Sequence, residues 1–395
     1  MRIESIKLKN YKVFQDIELN DLPDLAIFVG ANGVGKTTLF DAFGFLSDCL
    51  KNNVRQALSK RGGFKEVISR GHQKEMIEIE LQFKLIIAGK NRLVTYRLEI
   101  GEENGRPFIQ REILRYKRGA YGSPYHFLDF SLGTGYAITN EEDFDQPDEK
   151  LAREEQKLGS PDILAIKGLG QFEKFKAASA FRSFIENWHV SDFHISDARP
   201  SREAGYAEHL NQTGENLSLV AQYIFENHRQ LFEEILKKMK QRVPGIKNVV
   251  AESTVDGRIV LRFQDGSFKD PFIANYVSDG TIKMFAYLIL LNDPSPHPLL
   301  CIEEPENQLY PSILIELLEE FRLYAKKGGQ VFVSSHSPDL LNGARPEEVY
   351  WLVKKEGYSK IERASDHPGI RELYAEGDKL GYLWKENYFI GSNPQ

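Results

Sequence analysis

Apolar and polar positions alternate from the start of the chain. In "RIESIKLKNYKVF" and "IELNDLPDLAIFVG" the period is close to two, which predicts short strands, the second ending at Gly30. The text then turns Gly-rich, and apolar residues recur at helical spacing through "KTTLFDAFGFLSDCL", so a strand, a loop and a helix follow one another. From Met76 to about Ile138 the period of two returns in "MIEIELQFKLIIAG", "NRLVTYRLEI" and "REILRYKRG", with Gly/Asn turns between them, predicting an antiparallel sheet. Residues 141–157 are crowded with acids, lack an apolar period and read as a solvated loop.

Helical text resumes from about Phe172 to Trp188, followed by a predicted strand in "HVSDFHISD" and the turn-rich "ARPSREAG". A helical block at about 215–242 carries Leu231, Phe232, Ile235, Leu236 and Met239 on one stripe. Beside them Lys237, Lys238 and Lys240 form either a solvated face or a phosphate-contacting patch. Hairpin text with two D-G turns fills 247–272. The sum is an α/β core interrupted by an antiparallel β insertion and a helical lobe. We divide it into 1–190, an N-terminal half with the Gly-rich loop and the β insertion; 191–275, the helical lobe and hairpin; and 276–395, a C-terminal half.

Composition narrows the function classes. With 41% hydrophobic residues among 395 the chain can bury a substantial core. A net charge of −6 gives no global basic field that would advertise nucleic acid, although a local patch stays open. Cys49 and Cys301 are too few for a disulfide framework or a cysteine-based zinc cluster, which fits a reducing cytosol. The start is not a charged-then-apolar signal, and the apolar run "MFAYLILL" is far short of a membrane span, so a soluble cytoplasmic protein is expected.

Four stretches carry chemistry. "GANGVGKT", Gly30, Ala31, Asn32, Gly33, Val34, Gly35, Lys36 and Thr37, satisfies G-x-x-x-x-G-K-[ST] between a predicted strand and a predicted helix, the context a phosphate-binding loop requires. Its amides and the helix N-terminus would cradle the phosphates of ATP, Lys36 would neutralise β/γ charge, Thr37 would hold Mg²⁺ and Thr38 would reach the α-phosphate. The apolar run "PLLCI" ends on Glu303 and Glu304, an expensive place for two carboxylates unless a cation meets them. Glu303 is the candidate Mg²⁺ carboxylate, and Glu304 the candidate that polarises the attacking water. "QVFVSSHSPDLL" predicts a strand ending in His336, within reach of a γ-phosphate, and "NYVSDGTIKMFAYLILL" sets Ser278 as the N-cap of a helix that continues with Asp279 and Gly280.

In that order these stretches resemble the ABC-type ATPases of the SMC/RecF/OLD branch, in particular bacterial AAA-family ATPases with an "LSDGT", "IEEPENGLHP" and "THSP" pattern. The likeness implies an ABC-ATPase head, a P-loop NTPase, over nearly the whole chain. It implies a homodimer with two ATP molecules held between the phosphate loop of one subunit and Ser278, Asp279 and Gly280 of the other, with Glu304 catalytic, His336 a switch histidine, and Asn307 and Gln308 in the D-loop. The chain departs from the pattern at Tyr310, where His is common, at Glu303, where Asp is commoner, and in the absence of a Q-loop glutamine near "SDFHISD", which offers Asp192 and His194. The intervening text leaves no room for a long coiled-coil arm, and no D-x-D follows His336, so the chain is not expected to cut DNA itself. The resemblance points to an ATP-driven switch for a separate effector, a TOPRIM-like nuclease among the candidates, in anti-phage defence or DNA metabolism. The alternative is a RecF-like repair clamp that binds DNA directly. The inserted sheet and the SDG cap disfavour a transporter subunit.

Overall fold

The alternation in the first third of the chain becomes one face of a sheet. In the computed structural model, which describes residues 1–87, 90–116, 125–139 and 152–392, strand Ile77–Ile87 pairs antiparallel with Lys90–Glu103 in a register that sets Ile79 opposite Leu98, Leu81 opposite Tyr96 and Phe83 opposite Val94. All six side chains are fully buried on the same side. Helix Lys176–Glu186 covers them: Phe181 stacks on Phe83 with ring centroids 4.4 Å apart and leans on Tyr96 at 4.6 Å. Burying each such aromatic contributes roughly 1.5–3 kcal/mol.

The chain forms two units. The first comprises Met1–Trp188, Tyr350–Asp366 and Phe389–Gln395. Its eight-stranded sheet runs in the order Phe14–Leu19, Ile3–Tyr11, Ile77–Ile87, Lys90–Glu103, Arg106–Tyr116, Tyr125–Ser131, Thr134–Ile138, Arg153–Lys157, antiparallel throughout. The last strand corrects the reading of 141–157 as a loop for its final part. Arg153–Lys157 is a polar edge strand paired with Thr134–Ile138, and a charged edge of this kind resists pairing with other chains. Residues 141–151 of that stretch lie outside the described residues. The same unit holds the fully buried strand Leu25–Val29, bonded to strand Val349–Lys355, which forms a hairpin with Tyr358–Arg363.

The second unit comprises His189–Val349 and His367–Tyr388. Strands His189–Ser191, Leu300–Glu303 and Val331–Ser335 run parallel, and helix Pro311–Lys326 links the last two. Helix Asp279–Leu291 is buried on every side from Thr281 onward, which explains an apolar run too short for a bilayer; among the described residues no helix is long and apolar enough to cross a membrane. The helical block is two helices, Leu217–Asn227 and Arg229–Arg242, packed on hairpin Ile246–Ser253/Arg258–Asp265. Lys238 is not a solvated lysine. Its Nζ donates to the buried Glu320 at 2.8 Å, and Arg242 Nη2 meets the same carboxylate at 2.6 Å. The predicted strand in "HVSDFHISD" is shorter than its pattern, because beyond Ser191 the backbone turns to another partner: Asp192 N donates to Gln212 O and His194 N to Thr213 O.

Candidate functional site

In the first unit, strand Leu25–Val29 delivers the chain to a loop and then to helix Lys36–Lys51. Gly30 sits at φ +152°, and a Cβ there would come 2.8 Å from Leu352 O and 2.9 Å from Val34 Cγ2, so only glycine fits between the loop and the neighbouring strand. Gly33 and Gly35 also take positive φ, 77° and 103°. Lys36 is buried, with its Nζ donating to Gly30 O at 2.7 Å and Ala31 O at 3.3 Å, so the ammonium is folded over the loop it belongs to. Ser359 Oγ donates to Val34 O at 2.6 Å and holds the loop from the hairpin side. Asn32, Gly33 and Thr37 are exposed, Ala31, Gly35 and Thr38 half-buried, and Val34 buried. This is a cradle of backbone amides at a helix N-terminus with a lysine across it, which suits the phosphates of a nucleotide.

In the second unit, the other candidates collect at the C-terminal ends of two adjacent parallel strands. Glu303 closes strand Leu300–Glu303 opposite Ser334. Glu304 takes φ +41°, unusual for a residue with a side chain, and its N–H donates to Ser334 O at 3.0 Å. Its carboxylate is in hydrogen-bond contact with His336 Nδ1. Glu306, buried as a side chain, accepts from Ser335 Oγ at 2.6 Å and from the His336 N–H at 2.8 Å, fixing the histidine's backbone. Lys283 Nζ donates to Glu304 O at 3.3 Å. Burial pulls Lys283 down to about 8, against the opposing pull of Glu306, Asp192 and Glu304.

Ser278 caps helix Asp279–Leu291 as expected, accepting from Thr281 N at 3.3 Å. Gly280 lies against the segment after the acidic pair: a Cβ there would come 2.8 Å from Gln308 O. Asp279 pairs with Arg199, which also donates to Ala274 O at 2.7 Å. A cavity of about 660 Å³ opens beside them, lined among others by Asp192, His194, Arg199, Lys283, Asn307 and Gln308. Within this unit, Glu304 and His336 come together, and Gly280 meets Gln308. Sequence reasoning missed Glu306, Lys283 and Arg199. A charged residue inside the apolar run "TIKMFAYL" was the available signal for Lys283.

Comparison with known proteins bears on the family and the fold. A family model described as an AAA domain, putative AbiEii toxin, Type IV TA system matches residues 140–342, and one described as an AAA ATPase domain matches residues 1–160. Among curated proteins, the chain is similar to the DNA replication and repair protein RecF of Lactococcus lactis subsp. cremoris strain MG1363, 30% identical over 35% of this chain and 40% of that protein. It is also similar to the RecF of Lactobacillus johnsonii, 28% identical over 34% of this chain and 37% of that protein. The chain thus spans about 40% of the length of the curated relatives it matches. Among solved structures it resembles an SMC head bound to the C-winged helix domain of ScpA, with TM-score 0.58 and 14% identity over 92% of this chain and 98% of the other. An SMC head with an extended coiled coil, bound to the C-terminal domain of ScpA derived from Pyrococcus furiosus, matches with TM-score 0.52 and 12% identity over 95% and 99%. At these identities the likeness to the SMC heads concerns the fold.

Proposed function

We propose, on the premise that this chain belongs to the family of the AAA domain, putative AbiEii toxin, Type IV TA system and is an ABC-type ATPase of the SMC/RecF kind, that it is an ATP-hydrolysing switch that dimerises on ATP and controls a separate effector. The observation that carries the hydrolytic part is the contact between Glu304 and His336, with Glu306 fixing the histidine from behind. A carboxylate held in a left-handed backbone conformation beside an imidazole is oriented, and orientation is what a water-polarising base needs. In this reading Glu304 accepts the proton of the attacking water, His336 orients that carboxylate and faces the γ-phosphate, and Lys36 and the amides from Gly30 to Thr38 bind the phosphates. Mg²⁺, assigned to Thr37 and Glu303 on their motifs alone, would supply neutralisation of phosphate charge when bound.

Ser278, Asp279 and Gly280 would meet the γ-phosphate of ATP bound to a second copy. The effector is proposed to be a protein in trans, a TOPRIM-like nuclease among the candidates, in anti-phage defence or DNA metabolism; this part rests on family analogy. The half-exposed Tyr382 and Tyr388, beside the buried Leu380, Leu383 and Trp384, offer the aromatic composition common at such contacts. The likeness to RecF supports a second reading, a clamp that binds DNA directly. A steep linear fall of log affinity for DNA with log salt concentration marks the second, and its absence the first.

The hydrolytic assignment is tested with Glu304→Gln. ATP binding is expected to persist while turnover falls by roughly 10²-fold or more. Hydrolysis at the wild-type rate in that variant removes Glu304 from the role.

A further inference from the structure

At the opposite end of strand Leu300–Glu303 from the carboxylates, the second unit gathers a different set of groups. His209, Asp293 and His297 each present a ligand atom within 4.8 Å of the others. His209 Nδ1 lies 2.8 Å from Asp293 Oδ2, and the rings of His209 and His297 are 5.3 Å apart. His189, which opens strand His189–Ser191, stacks on His297 at 4.8 Å. We propose that His209, Asp293 and His297 form a binding site for a divalent transition-metal ion, Zn²⁺ in the first instance, separate from the nucleotide and its Mg²⁺.

The donor set decides the class of ion. Two imidazoles and one carboxylate suit zinc and its neighbours, whereas magnesium and calcium take oxygen ligands almost throughout. Zinc stands above iron(II) in affinity for such a set. The site is built rather than accidental. Asn216 Nδ2 donates to His209 O at 2.9 Å, and Tyr324 Oη donates to His297 O at 2.7 Å, so the backbone of each histidine is clamped. Ser295 N donates to Asp293 Oδ1 at 2.9 Å, which leaves Oδ2 directed at His209. Asp293 is 3% exposed as a side chain and His209 39%, giving a buried anion at the base and an open side where water enters and supplies a fourth ligand.

The 2.8 Å separation is that of a direct hydrogen bond. Two ligands of a tetrahedral zinc stand about 3.3 Å apart. Binding therefore replaces the proton shared by His209 and Asp293 with the metal and opens the pair by about half an ångström, a shift that the exposed His209 ring can make. A bound ion would tie the loop before helix Leu217–Asn227 to the loop that feeds strand Leu300–Glu303.

The test uses the purified full chain, nucleotide-free, stripped with a chelator and reloaded with Zn²⁺ or Co²⁺ alone. The expected result is one zinc retained per chain after gel filtration, intense visible absorption with Co²⁺, and a thermal midpoint raised by about 3 °C at zinc a hundredfold above its dissociation constant. His209→Gln and Asp293→Asn should each abolish retention, while Thr37→Ala and Glu303→Gln leave it intact. Retention unchanged in both cluster variants overturns the proposal. So does a wild-type chain with neither Co²⁺ absorption nor a zinc-dependent shift, a measurement that stands even if a variant fails to fold; the cluster is then a hydrogen-bonded group only.

Discussion

At the scale of single residues, Gly280 shows two opposed effects whose sizes decide the outcome. An alanine at that place in the helix would gain up to about 1 kcal/mol of helix propensity. Its Cβ would also stand 2.8 Å from Gln308 O, a backbone atom that cannot swing aside, and overpacking of this kind costs typically about 1–3 kcal/mol. The clash wins. Gly280→Ala is expected to be destabilising by roughly 1–2 kcal/mol in denaturant titration, and an equal or higher midpoint would show that Gln308 yields. The residues legible in the sequence were those whose neighbours in the chain explain them: Ser278 as a cap, the glycines of the phosphate loop, Glu303 at a strand end. Glu306 was not, because its partner His336 lies 30 positions away, and for Lys283 the apolar run marks a buried charge but not its partner, the Glu304 carbonyl 21 positions away. Nothing in a linear pattern announces such a meeting.

Among the elements, the β insertion was readable because a period of two with turn residues between strands leaves few alternatives. The edge strand Arg153–Lys157 was misjudged, since a polar edge has no apolar face to betray it, whereas the strand expected in "HVSDFHISD" is present but stops at Ser191. The insertion also caps a helix in a way sequence cannot show. Glu112, fully buried on strand Arg106–Tyr116, accepts from the N–H groups of Ala165 and Ile166 at the start of helix Ala165–Leu169, and from Tyr96 Oη at 3.1 Å. Burial pushes its carboxyl up to about 7, although these hydrogen bonds pull the other way. A folded-state value above the unfolded one means that the folded chain holds the proton more tightly. The stability linked to Glu112 is therefore complete below about pH 4.5 and is lost as pH rises through about 7. Unfolding midpoints at pH 5, 6 and 7 should fall with pH more steeply in the wild type than in Glu112→Gln. Parallel slopes would assign the pH dependence elsewhere.

For the whole molecule, the dimer proposal has a test that a monomeric enzyme cannot pass. Lys36→Ala disables the phosphate loop and Ser278→Arg the helix cap offered to a second copy. A mixed pair then carries one site with both lesions and one with neither, so mixing two inactive variants in equal amounts, where about half of the pairs are mixed, should restore up to about a quarter of the normal activity, read as ATP turnover. No recovery at any ratio argues for sites complete within one chain. A different consequence follows from the bond between Ser359 and Val34, which joins positions 325 residues apart. A chain emerging at roughly 5–20 residues per second exposes its Gly-rich loop roughly 16–65 s before the hairpin that braces it has been made. During that interval the stretch has its glycines and its lysine, but not the strand that faces Gly30 or the hydroxyl that holds Val34. The loop is thus complete in sequence long before it is braced in structure, and its final packing waits on the late-made hairpin.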